Sequence, residues 1–195
     1  MGSGFGHHER RRSMIDPVDE LKTRATMLHK RIAAGDAAAR RRLRTLPEFT
    51  KADPGSIQAA ATGIHHKHCL AVVAREHGFQ SWEHARRVLR GDVTEKDCGT
   101  LLYDSSVRGF LNVWFAHYDE ARAHLHEARR SGGEHYMLSY RTQFLVVDRH
   151  FIETLGWDPA DPDWQKLDFD WARPRDPAAR RRLYGKRLQA LRAEP

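Results

Sequence analysis

The chain is poor in cysteine and has no long apolar stretch. Only Cys69 and Cys98 occur in 195 residues, which excludes a disulfide scaffold and favours reduced thiols in a cytoplasm. No apolar run approaches the roughly 20 residues of a membrane span, so no membrane partner is expected. The opening "MGSGFGHHERRRSM" has basic residues with no apolar segment behind them, unlike a secretory signal. Residues 1–15 are therefore expected to be a disordered tail. Also missing are a Gly-rich phosphate loop, a His-Glu-x-x-His string and a Gly-x-Ser-x-Gly elbow. No cofactor is implied, and an enzyme is the less favoured class.

What is present is charge, in blocks. The net charge is +7. Residues 1–91 hold 17 Lys and Arg against 9 Asp and Glu, residues 92–170 hold 8 against 15, and residues 171–195 hold 8 against 2. Basic ends can meet nucleic acid. Opposite blocks in one chain also attract each other, so a basic last helix is expected to pack on the acidic middle.

Asp-Pro pairs and glycines punctuate the chain. Asp caps free helix amides and Pro fits a first turn, so Asp16-Pro17 opens a helix with Leu21, Ala25, Leu28 and Ile32 on one stripe. Asp36 opens a second, with Ala39, Leu43 and Leu46 inward, ended by Pro47. A third runs through "SIQAAAT", and a fourth covers about 65–77. Ser81 caps a fifth with Trp82, Ala85 and Leu89 buried, closed by Gly91. Beyond Gly91, "GTLLY" and "FLNVWF" are strand-like, and "YDEARAHLHEARR" is a helix with acids first and arginines last. "YMLSYRTQFLVV" alternates, with Tyr136, Leu138, Tyr140, Thr142, Phe144 and Val146 assigned to one face. Asp148 caps a short helix, and Asp176-Pro177 begins a final one with Leu183, Tyr184, Leu188 and Leu191. The expected fold is α+β. A helical module over 16–91 precedes a small α+β domain over 92–195 with an antiparallel sheet and a basic C-terminal helix.

"GIHHKHCLAVVAREHGFQSW" (63–82) is the most pointed stretch. His65, His68 and Cys69 have spacings that share a helix face, as metal ligands require, and His84 could complete a set. Zinc sites usually show a second ligand pair at standard spacing, and none follows, so no metal is assigned. The helix, Gly-Phe turn and second helix with Arg86, Arg87 and Arg90 also fit a DNA-reading pair, but Glu83 would stand at the phosphates.

Leu70, the string Ala74-Arg75-Glu76-His77-Gly78-Phe79, Ser81-Trp82, and the Ala34-Gly35-Asp36 turn upstream resemble a helical module at the front of bacterial ankyrin-repeat and related proteins. The resemblance covers about 19–90. It departs from that family's pattern at "HHKHC", and no ankyrin repeats follow. It implies a bacterial-type helical packing module with Phe79 and Trp82 as anchors, and it brings no catalytic residue.

The C-terminal half then carries specificity. With Leu111, Val113 and Phe115 turned to the core beside the helix over 118–130, the opposite strand faces would show Phe110, Asn112 and Trp114, and Ser139, Arg141 and Gln143. Aromatics mixed with an amide and a guanidinium suit a ligand surface, with Arg141 foremost. Cys98 with His117 is a weaker nucleophile and base pairing. Asp158, Asp161 and Asp163 lack the central Gly of a calcium loop and read as helix starts. The expected function is a non-enzymatic binding or adaptor protein holding a protein partner or small ligand on this sheet. The alternatives are nucleic-acid binding through the basic helices, or a metal- or cysteine-dependent enzyme.

Overall fold

The computed structural model describes residues 16–193; the tail expected over 1–15 lies outside the described residues. Asp16 caps α1 (Pro17–Ala33) by accepting from the Val18 and Asp19 amides, and Leu21, Ala25, Leu28 and Ile32 form its buried stripe. Asp36 caps α2 (Ala37–Arg41), but the longer helix expected there tightens into a 3-10 turn over Arg42–Thr45. Asp53 caps α3 (Pro54–Ala60). A glycine turn separates α4 (His66–Glu76) from α5 (Trp82–Arg90), with Gly78 at φ 81°. A Cβ there would lie 2.9 Å from the Thr100 backbone, so both conformation and space demand glycine. Phe79 is buried beside this turn, while Trp82 is half-buried against the core.

After Gly91 the chain adds β1 (Val113–Phe115), α6 (Tyr118–Arg130), β2 (His135–Tyr140) and β3 (Gln143–Asp148). Two short helices, α7 (Arg149–Thr154) and α8 (Pro162–Lys166), and a long last one, α9 (Pro177–Ala193), follow these. The three strands form one antiparallel sheet in the order β1-β3-β2. The fold is α+β. "GTLLY" is not a strand: it turns, driving Leu101 and Leu102 into the core.

The sheet departs from the expected face assignment. "YMLSYRTQFLVV" is a hairpin, not one strand: Tyr140 pairs with Gln143 across a two-residue loop, with Arg141 at φ 50°. The loop reverses the alternation, so Tyr136 and Leu138 share a face with Leu145 and Val147, while Met137 and Ser139 share the other with Phe144 and Val146. α6 packs on the second face through Ala121 and Leu125 against Met137 and Val146. The first face joins the main core, where Tyr136 meets Trp164 with ring centroids 4.9 Å apart.

With both faces occupied, the thin end of the sheet is left uncovered by the described residues. Leu111 is 104% exposed and Val113 46% exposed, contrary to the core positions expected of them; Phe115 alone of the three is half-buried, against His124 of α6. The main core is continuous from Val18 in α1 to Leu188 in α9, so packing does not break at Gly91. The basic last helix lies on the acidic middle: Arg182 bonds Asp163 at 2.6 and 2.8 Å, Lys186 pairs with Asp161, and Arg187 pairs with Asp104.

Candidate functional site

The outer end of the sheet gathers most of the residues singled out from the sequence, though not in one plane. Trp114, in the middle of β1, is 38% exposed. Its register partner is Leu145, so it stands on the Tyr140 face, and three rings meet edge to face there. Centroids lie 5.1 Å apart for Tyr103 and Trp114, 5.3 Å for Tyr103 and Tyr140, and 5.6 Å for Trp114 and Tyr140. Such contacts fix ring orientation as well as bury area. The rim continues inward through Tyr103 to Phe151, then outward through Phe110 to His150.

Gln143 is exposed opposite Tyr140 and shares the Trp114 face. Asn112 is half-buried just before β1, and its amide donates to the Phe110 carbonyl at 3.3 Å. Arg141 occupies the hairpin loop with an exposed side chain, its guanidinium carbon 5.7 Å from the Tyr140 ring centroid. Its backbone is pinned by Gly99 and Cys98, at 2.8 and 2.9 Å. Ser139 falls elsewhere: it is buried on the opposite face, beside the Cys98 thiol. Four of the five candidates thus stand at one end of the sheet, and Ser139 does not. Sequence reasoning missed Leu111 and Val113 as surface residues, and it placed Tyr140 in the core. A run such as "LNVWF" looks the same whether it fills a core or an edge.

β1 is also an open edge. Its backbone bonds β3 on one side. On the other, no backbone or side-chain group among the described residues reaches it. Natural sheets usually blunt such an edge with charge or proline; here the edge residues are Val113, Trp114 and Phe115.

The rival constellations look different in three dimensions. Cys69 is fully buried, and burial pushes its thiol up to about 11. His65 and His68 stack at 5.7 Å, and the His68 Nδ1 accepts the His65 amide at 2.9 Å. Among the described residues no group of three His, Cys, Asp or Glu side chains is placed to hold a metal ion. Burial also raises the Cys98 thiol; Ser139, Arg180, Asp97 and Glu95 act on it, while His117 stands exposed at the start of α6. Asp158 and Asp161 bond the local amides of Ala160 and Asp163.

In the helix pair, Arg87 divides its guanidinium between Asp92 and Glu95, both at 2.9 Å, and Arg86 meets Glu83 at 3.2 Å. Two shallow, open clefts, of about 450 and 240 Å³, lie beside these elements; the larger adjoins the rim at His150, and the smaller lies at the start of α5. The smaller holds His84, whose Nδ1 accepts the Gln80 amide and whose Nε2 donates to the Asp97 carbonyl. The chain matches no family model, no curated protein and no solved structure.

Proposed function

We propose that the protein is a non-enzymatic binding module that holds a protein partner at the open end of its sheet, on β1 and the aromatic rim. The observation that carries this is the exposure of Val113 and Trp114 on an edge strand and of Leu111 just before it, in a fold whose other large apolar side chains are mostly enclosed. Contiguous exposed apolar surface of this kind marks an interaction site more often than scattered leucines do. A protein partner is favoured over a small ligand because small-molecule sites are concave and enclosing, whereas the three rings of the rim pack on one another.

Nucleic-acid binding has less support, because Arg86 and Arg87 are already engaged with acids of their own segment. A cysteine-dependent reaction has less again, since both thiols are pushed towards the unreactive protonated form.

The test is a photo-crosslinking amino acid placed at position 113 in the native host, with and without Trp114→Lys. Defined cross-linked proteins are expected from the parent chain and should vanish with the substitution, while thermal melting stays unchanged. Identical cross-links from both chains, or none from either, would remove the reading. A gel shift at low salt with arbitrary DNA or RNA checks the nucleic-acid alternative.

A further inference from the structure

From the open edge and the charges around it, and resting on the reading of the sheet end as a protein-binding site, we infer the partner's chemistry: an extended, acidic peptide segment that adds to β1 as a fourth strand. Three observations converge. First, among the described residues β1 has N–H and C=O groups without a backbone partner along one side over Val113–Phe115, the requirement for strand addition. The opposite edge is largely taken up: Met137 of β2 bonds Phe169 and Trp171, both at 2.9 Å, and Arg141 beyond it bonds Gly99 and Cys98.

Second, the side chains flanking that edge are apolar on both faces. Trp114 stands on one face, and Val113 and Phe115 on the other. An added strand sends alternate side chains to the two faces. It would lay one set against the Trp114 ring and the other against Val113 and Phe115, burying surface that water now reaches.

Third, a free positive charge stands beside the rim. Arg141, its guanidinium carbon 5.7 Å from the Tyr140 ring, is exposed and has no ion pair among the described residues, and Arg108, three residues before Leu111 in sequence, is likewise exposed and without one. Most other arginines of the C-terminal half are engaged: Arg122 with Asp168, Arg149 with Glu134 and Glu153, Arg182 with Asp163, Arg187 with Asp104. The exposed acids Asp119 and Glu120 belong to the first turn of α6, which packs under the face opposite the rim. An acidic side chain of the partner on the Trp114 face would meet the exposed Arg141 guanidinium, while the acids next to the rim, Asp104 and Glu153, are already paired with Arg187 and Arg149. The chain's net charge of +7 steers the same kind of partner from a distance.

A phage-displayed library of linear 12-residue peptides, selected on the full chain, tests this. Expected are peptides with apolar residues at alternate positions and with Asp or Glu between them. Bound to the chain, they should slow amide exchange over 113–115. Trp114→Lys should abolish binding, and Arg141→Glu should weaken it by about tenfold, with a comparable weakening at high salt; in both variants the exchange of β2 amides should be unchanged, reporting an intact sheet. Peptides that need Trp114 but are basic or helical, or leave the 113–115 amides unprotected, would overturn strand addition while sparing the binding reading. A selection returning no Trp114-dependent peptide would overturn both. Self-association of the chain that Trp114→Lys removes would assign the edge to a second copy and overturn the peptide partner.

Discussion

Along β2, the outer edge of the sheet is occupied. The segment at Phe169–Trp171 bonds Met137 as an added bridge, Gly99 and Cys98 bond Arg141, and three tryptophans close behind them. Along β1, three antiparallel residues end the sheet with no backbone bonded beyond them among the described residues and with Val113 and Trp114 exposed. One sheet thus carries both solutions to the problem of an unpaired edge. Where chain is available it covers the edge and turns aromatics inward. Where the chain departs into α6 it leaves aromatics outward. Trp171 and Trp114 are the same residue type at the two edges, put to opposite uses.

The largest expected effect sets those two tryptophans against each other. Trp171 is fully buried between Trp157, Trp164 and Tyr184, with centroids 5.0, 5.7 and 4.7 Å away, and its Nε1 donates to the Tyr184 hydroxyl at 3.3 Å. Trp171→Ala should cost about 3–5 kcal/mol in urea unfolding, the cost of a large core cavity. Trp114→Ala, losing ring contacts on one side only, should cost less than about 1 kcal/mol. Equal losses at both positions would make β1 part of the core and dissolve the contrast between the edges.

Much of this arrangement was legible in the sequence, and the reasons are local. Asp16, Asp36, Ser81 and Asp148 each accept the first-turn amides expected of them. The stripe on α1 and the charge order of α6 follow from helical spacing and the helix dipole. The hairpin was hidden because its loop is Arg141-Thr142, with none of the Gly, Asn or Asp that usually supplies a positive φ. Missing the loop exchanged the faces of β3, and taking the Tyr140 face as the core brought Ser139 into the candidate site. The exposure of Leu111 and Val113 was illegible for a different reason: it depends on how far α6 and the main core extend over the sheet, which is a tertiary fact. The covering of β2 by residues 169–171 belongs to the same class.

Acid should loosen the covered side in a window of its own. Burial alone would raise the Asp163 carboxyl, but hydrogen bonds from Arg182 and Lys166 outweigh it and hold it at about 2. Its folded value is below its unfolded one, so its stabilisation is complete above about pH 4 and is lost as pH falls towards 2; the shift corresponds to about 2 kcal/mol. His77 acts earlier. Burial lowers its pKa, and the neighbouring Arg24 guanidinium adds to this against the opposing hydrogen bond to Val73. The unfolded chain therefore takes up that proton first, and stability falls as pH drops below about 6.5 through the folded value. Urea midpoints measured from pH 8 to pH 2 should show two steps. Asp163→Asn should shrink the lower step, to which the lowered carboxyls of Asp92 and Asp104 also contribute, and His77→Gln should shrink the upper one, while Trp114→Ala should leave both in place.

The smallest effect is the most pointed test of the bare edge. Leu111 has no enclosing contacts to lose, so Leu111→Lys should change stability by no more than about 0.5 kcal/mol in either direction. A lysine there is also the substitution that sheet edges use to prevent strand pairing. It should therefore leave the urea midpoint in place while lowering partner capture and any tendency of the chain to aggregate, read by cross-linking yield and light scattering. The same substitution at Leu138, on the covered side and fully buried, should prevent folding outright. If Leu111→Lys instead destabilises the fold by several kcal/mol, the leucine is covered in solution by some part of the chain itself. The open edge would then be a closed one, and the sheet would have no free side to offer.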